Sequence, residues 1–138
     1  MMMLSEIRDM LAELGISKPE NTYMGRLDAK KLCSIGAYNS KRGDNVLIPL
    51  GGMDNKKSDV KSVTFLVHWN KSPRETEKAS ALLVSKLTEI RNRVTTEGHT
   101  INFIIPTQPI PVDTDNDGIY EMVIDADVYY SRTIERED

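Results

Sequence analysis

The sequence predicts an α+β fold: a mostly antiparallel sheet with two helices packed on one face. Three observations predict it. Residues 4–14 and 73–94 place apolar side chains at steps of three and four, the spacing of a helix buried on one side. Residues 60–70 and 119–130 alternate apolar with polar, the period of a strand with one face in a core. The elements run helix, three or four strands, helix, two strands, an order that segregates helices to one side of a sheet.

The first helix is expected over about 4–14, with Leu4, Ile7, Met10, Leu11 and Leu14 on one face and Glu6, Arg8, Asp9 and Glu13 on the other. Gly15 follows the last periodic position and can take the left-handed conformation that ends a helix. Pro19 discourages a restart. Short strands are expected around 23–27, 32–38 and 46–50, separated by clusters of Gly, Asn, Asp, Ser and Lys. Pro49 demotes the third of these to an edge strand or an extended loop. The stretch at about 39–59 is the least regular and reads as a hairpin arm.

The strand over 60–70 sets Val63, Phe65, Val67 and Trp69 on one face and Ser62, Thr64, Leu66 and His68 on the other. A second helix then opens on Ser72, with Pro73 at its first position and Glu75 three residues after the cap. This is a capping box, in which the serine oxygen and the glutamate carboxylate each accept from a backbone N–H of the other residue. Its expected buried stripe is Ala79, Leu82, Leu83, Leu87, Ile90 and Val94. The last third reads as two strands: one from Ile101 that frays at Pro106, Pro109 and Pro111, and a long one from Ile119 to about Tyr130. In the long strand Tyr120, Met122, Ile124, Ala126, Val128 and Tyr130 point one way. Glu121, Val123, Asp125, Asp127 and Tyr129 point the other. A slip of one residue would bury three carboxylates, which fixes the register. The tail SRTIERED is charged and expected to fray.

Length and charge narrow the function. A chain of 138 residues fits a single domain, 1–138. With 39% apolar and 28% charged residues it has enough apolar surface for one core. The single cysteine, Cys33, excludes an internal disulfide and fits a reducing compartment. No apolar run approaches the roughly 18 residues that cross a bilayer, and no signal peptide is expected from the opening MMMLSEIRDML. The formal net charge of −3 disfavours a broad basic face for nucleic acid.

Few motifs carry chemistry. In DTDNDG, the residues Asp113, Asp115, Asp117 and Gly118 match the first half of a calcium loop. The twelfth position should be a bidentate glutamate and is Ile124, so a strand-linking Asp-Gly turn is the better reading, with the three aspartates as weak metal candidates. His68, between Val67 and Trp69, reads as a structural or a surface histidine; His99, beside Gly98, reads as solvated. Cys33 lacks an evident base and reads as strand packing. Glu121, Asp125 and Asp127 form an acidic stripe, which reads first as a solvated sheet face. A hydrolase dyad is one use of it; electrostatic matching to a partner is another. Lys41, Arg42, Lys56 and Lys57, in the arm, are its natural complement and are expected to contact a neighbouring chain. Glycine-rich phosphate loops and zinc spacings are absent from the sequence. No enzyme motif and no cofactor are expected.

Taken together, LSEIRDMLAELGI, YMGRLDAKK, SIGAYNSKR, NVLIPLGG, FLVHWNKSPRETEKAS and DNDGIYEMVIDADVYY span nearly the whole chain. In that order they resemble the bacteriophage minor capsid proteins related to tail terminators, the head–tail joining proteins of tailed phages. The resemblance implies a sandwich-like α/β subunit with helices on one sheet face. It implies a structural protein of the virion, made in the host bacterial cytoplasm. Such subunits form a ring, usually hexameric, that caps the head-proximal end of the tail tube. The implied partners are further copies of the chain, the tail tube protein, the head–tail connector and, in contractile tails, the sheath. A head-completion or connector role, and a calcium-dependent binding module, are the alternatives. The resemblance supplies no catalytic residues.

Overall fold

The computed structural model describes residues 1–25, 31–40, 59–112 and 118–132. Its elements are α1 (Leu4–Glu13), a 3-10 turn (Pro19–Asn21), β1 (Thr22–Met24), β2 (Ser34–Asn39), β3 (Asp59–His68), α2 (Pro73–Glu89), β4 (Arg93–Val94), β5 (His99–Pro106), β6 (Ile110–Val112) and β7 (Glu121–Arg132). The seven strands form one sheet in the order β1-β2-β3-β7-β5-β4, with β6 also on β7. Every pairing is antiparallel except β1 with β2. The α+β class and the mostly antiparallel sheet follow the sequence, and the parallel β1 makes the sheet mixed.

The register of the two long strands decides what the sheet buries. Val63 opposes Ala126, Phe65 opposes Ile124, and Val67 opposes Met122. Opposed residues point to the same side, so the odd positions of β3 and the even positions of β7 make one apolar face. Ile7, Met10 and Leu11 of α1 and Ala79, Leu83 and Leu87 of α2 join that face in a single core with Ile35, Ala37, Ile101 and Ile104. Both helices therefore cover the same side of the sheet. Its other side carries no helix among the described residues.

Helix α1 ends as the sequence indicates: Gly15 has φ +75° and its N–H donates to the Ala12 carbonyl. The start is less obvious. Met2 is fully buried, and its N–H donates to the Tyr130 hydroxyl at 3.1 Å. The N-terminal residues are thus tied to the far end of β7.

Helix α2 departs from expectation at both ends. Ser72 Oγ accepts from the Glu75 N–H at 3.3 Å, as a cap should. The glutamate does not return the bond. Asn70 stands between them: its Oδ1 accepts from the Ser72 N–H at 2.9 Å, and its Nδ2 donates to Glu75 Oε2 at 2.7 Å. An asparagine two residues ahead reaches the Ser72 amide with less chain to order than a glutamate three residues behind. Substituting Asn70→Ala is expected to cost about 1 kcal/mol in denaturant unfolding, close to the cost of Ser72→Ala. A simple capping box would leave the Asn70 variant neutral.

At its other end α2 stops at Glu89, short of the predicted stripe. Val94 lies in β4 and is 62% exposed, and Leu82 is 46% exposed. The last third also holds four strands where two are expected. Residues 93–94 turn back through Gly98, at φ +84°, to pair with β5. The prolines split the following run into β5 and β6 without ending it. The expected strand at 46–50 lies outside the described residues.

Candidate docking face

The acidic stripe of β7 lies on the helix-free side of the sheet, as alternation requires. Each of its carboxylates is hydrogen-bonded across the strand pair. Ser62 Oγ donates to Asp127 Oδ1 at 2.8 Å, and Thr64 Oγ1 donates to Asp125 Oδ1 at 2.6 Å. His68 Nδ1 lies 2.8 Å from Glu121 Oε2. These are the register partners of β3 and β7, so β3 supplies a hydrogen-bonding group opposite every acid. His68 and Ser62 are buried, while the three acids are half-buried. Of the two readings of His68, its burial and its contact with Glu121 favour the structural one over the surface one.

This pairing alters what the stripe can do. A carboxylate already holding a donor is less costly to cover than a bare one. The same bonds fix the carboxylates to their own strand partners rather than aiming them together at a substrate. The arrangement suits the docking of a surface more than acid–base chemistry.

The outer margin of this face is apolar. Phe103, Ile105 and Ile110 oppose Tyr129, Asp127 and Val123 of β7, which puts all three on the helix-free side. Phe103 stacks on Tyr129 with ring centroids 4.5 Å apart. Ile105 is 53% exposed and Ile110 56%. The prolines of the run from Ile101 mask this margin in the sequence pattern. Its signal was the unbroken apolar stretch Phe103-Ile104-Ile105, too long for a strand with only one buried face.

A groove of about 250 Å³ lies on another part of the molecule, lined by Trp69, Glu75, Lys78, Ala79 and Leu82. Trp69 follows β3 and packs against the core, and Leu82 projects from α2. Beside it, the Cys33 N–H donates to the Trp69 carbonyl at 2.7 Å. Burial raises the Cys33 thiol pKa, and the negative charge of Glu75 raises it further. The thiol is held protonated, which disfavours a nucleophilic role.

A third cluster corrects the reading of His99 as solvated. Glu6, fully buried on α1, accepts from His99 Nδ1 at 2.7 Å and from Thr95 Oγ1 at 2.5 Å through one oxygen. Its other oxygen accepts from the Met3 N–H at 2.6 Å. His99 meets Tyr130 edge-on at 5.4 Å. The cluster joins α1 to the β4–β5 hairpin. Burial works against the ionised Glu6, but the donors from Thr95, His99 and Met3 outweigh it and hold the carboxyl below the usual range.

Of the other candidate residues, Lys41, Arg42, Lys56 and Lys57 lie outside the described residues, as do Asp113, Asp115 and Asp117. Gly118, the first described residue after them, has φ +79°. Among the described residues no three His, Cys, Asp or Glu side chains are grouped to hold a metal ion. No described helix is long and apolar enough to cross a membrane. No family model matches the chain, and no curated protein matches it.

Proposed function

We propose that this protein is a structural component of a phage virion, a tail terminator whose ring caps the head-proximal end of the tail tube and joins it to the head connector. The resemblance along nearly the whole sequence supports the reading, and the α+β fold with both helices on one sheet face accords with it. The observation that carries it is the helix-free face: three carboxylates hydrogen-bonded across β3 and β7, beside exposed Phe103, Ile105 and Ile110. Such a face binds other subunits through shape and charge and transforms no small molecule.

The mechanism is capping. A ring presents one matching surface to the end of the tube and denies the next tube subunit the other. Rings require heterologous contacts, in which one surface meets a different surface of the next copy. Electron microscopy of the purified protein mixed with tail tubes tests the proposal. Rings seated on one end of each tube are expected, together with tubes of limited length. Bare tube ends, with tubes that grow as they do without the protein, would overturn it.

A further inference from the structure

We infer that copies of this chain join head to tail by seating the Ile105–Ile110 margin of one copy in the Trp69–Leu82 groove of the next. The inference rests on the ring reading and names the two surfaces that meet. One is exposed and apolar: Ile105 of β5 and Ile110 of β6 lie along the same side of β7 and are each about half exposed. The other is a shallow, open groove of about 250 Å³ edged by a tryptophan and a leucine. Aromatic and aliphatic side chains in a pocket are the usual anchors of an interface.

Charge favours the same match. Lys71, Arg74 and Lys78 are exposed around the start of α2, alongside Glu75 and Glu77, which leaves a small positive excess beside the groove. The margin adjoins Asp125, Asp127 and Glu121 on β7. The two features occupy different parts of the molecule, so a copy that gives its margin to one neighbour still offers its groove to another. A contact of this kind is heterologous and propagates until it closes.

The margin is also built to dock by side chains. Pro106, Pro109 and Pro111 lack the N–H groups that a strand added at this edge would need. Copies therefore meet through Ile105 and Ile110 rather than by extending the sheet.

Sedimentation of the full-length protein with Leu82→Lys and Ile105→Lys variants tests the inference. Both positions are exposed, and circular dichroism with thermal melting confirms that each variant folds. Wild type is expected to associate beyond a dimer, and each variant alone to remain monomeric. Their mixture is expected to stop at a dimer, since it retains one intact groove and one intact margin. Leu82→Gln and Ile105→Thr, which add no charge, are expected to show the same pattern in weaker form. Three results would overturn the inference: a wild type that stays monomeric, variants that associate like wild type, or a mixture with no dimer. The expected sedimentation together with bare tube ends in the microscope would leave the contact standing and remove the terminator reading.

Discussion

Substituting Glu6→Ala is expected to lower the unfolding free energy by about 2–3 kcal/mol, because it removes a buried acceptor from three donors. The side chain is fully buried and accepts three hydrogen bonds, from Thr95, His99 and the Met3 amide. Its loss leaves the Thr95 hydroxyl, the His99 ring and the Met3 amide without their common acceptor. The same cluster sets an acid limit on stability. The Glu6 carboxyl titrates lower in the folded chain than in the unfolded one, so its contribution is fully present above the unfolded carboxylate range, about pH 4.3. It is lost as pH falls through the lower, folded value. Denaturant unfolding between about pH 6 and 3 should show wild type losing stability with acid and Glu6→Gln losing less. Parallel curves for the two proteins would assign the acid response elsewhere. Asp9, which accepts from Thr96, and Glu13, paired with Arg93, flank the cluster on the same helix.

The behaviour of Glu6 shows where the sequence could be read and where it could not. Its helical position is polar by pattern, on the face opposite Ile7 and Leu11, and nothing local marks it as buried. It is buried because the β4–β5 hairpin, some ninety residues later, folds against α1 and brings a threonine and a histidine to it. The hairpin itself was hidden because Arg93 and Val94 continue the helical spacing of α2, and only tertiary pairing with Thr100 and Ile101 draws them into the sheet. By contrast, the two faces of β7 are legible residue by residue, because its burial alternates strictly, whereas in β3 Val60, Ser62 and His68 on the outer side are buried as well. Alternation alone sets the acidic stripe on the face away from the helices. Its pairing with Ser62, Thr64 and His68 depends on which strand lies beside β7, and a single sequence does not state strand order. The groove went unseen because Leu82 fits the helical stripe as well as Leu83 does, and only the packing of α2 against the sheet separates them.

Substituting Phe65→Ala is expected to cost about 3–5 kcal/mol, and what it does to assembly separates the two sides of the sheet. Phe65 is fully buried at the middle of β3, between Ala37 on β2 and Ile124 on β7. Both cross-strand neighbours lie in the core shared by α1 and α2, so a cavity there loosens the sheet and both helix contacts together. Against a typical domain stability of about 5–15 kcal/mol, that loss is enough to populate unfolded chain at moderate temperature. Ile105→Ala, on the opposite side and half exposed, removes little burial and should stay within about 0.5 kcal/mol of wild type. Thermal melting and sedimentation on the same samples distinguish the two effects. The Phe65 variant should lose association in step with its melting transition and regain it on cooling to where the fold is intact. The Ile105 variant should melt as wild type does and yet associate more weakly at every temperature. Equal melting points for Phe65→Ala and wild type would mean that the helix-covered face is not the main source of stability. The functional reading of the opposite face would then lose its basis, because a face that also held the fold together could not be given up to a partner.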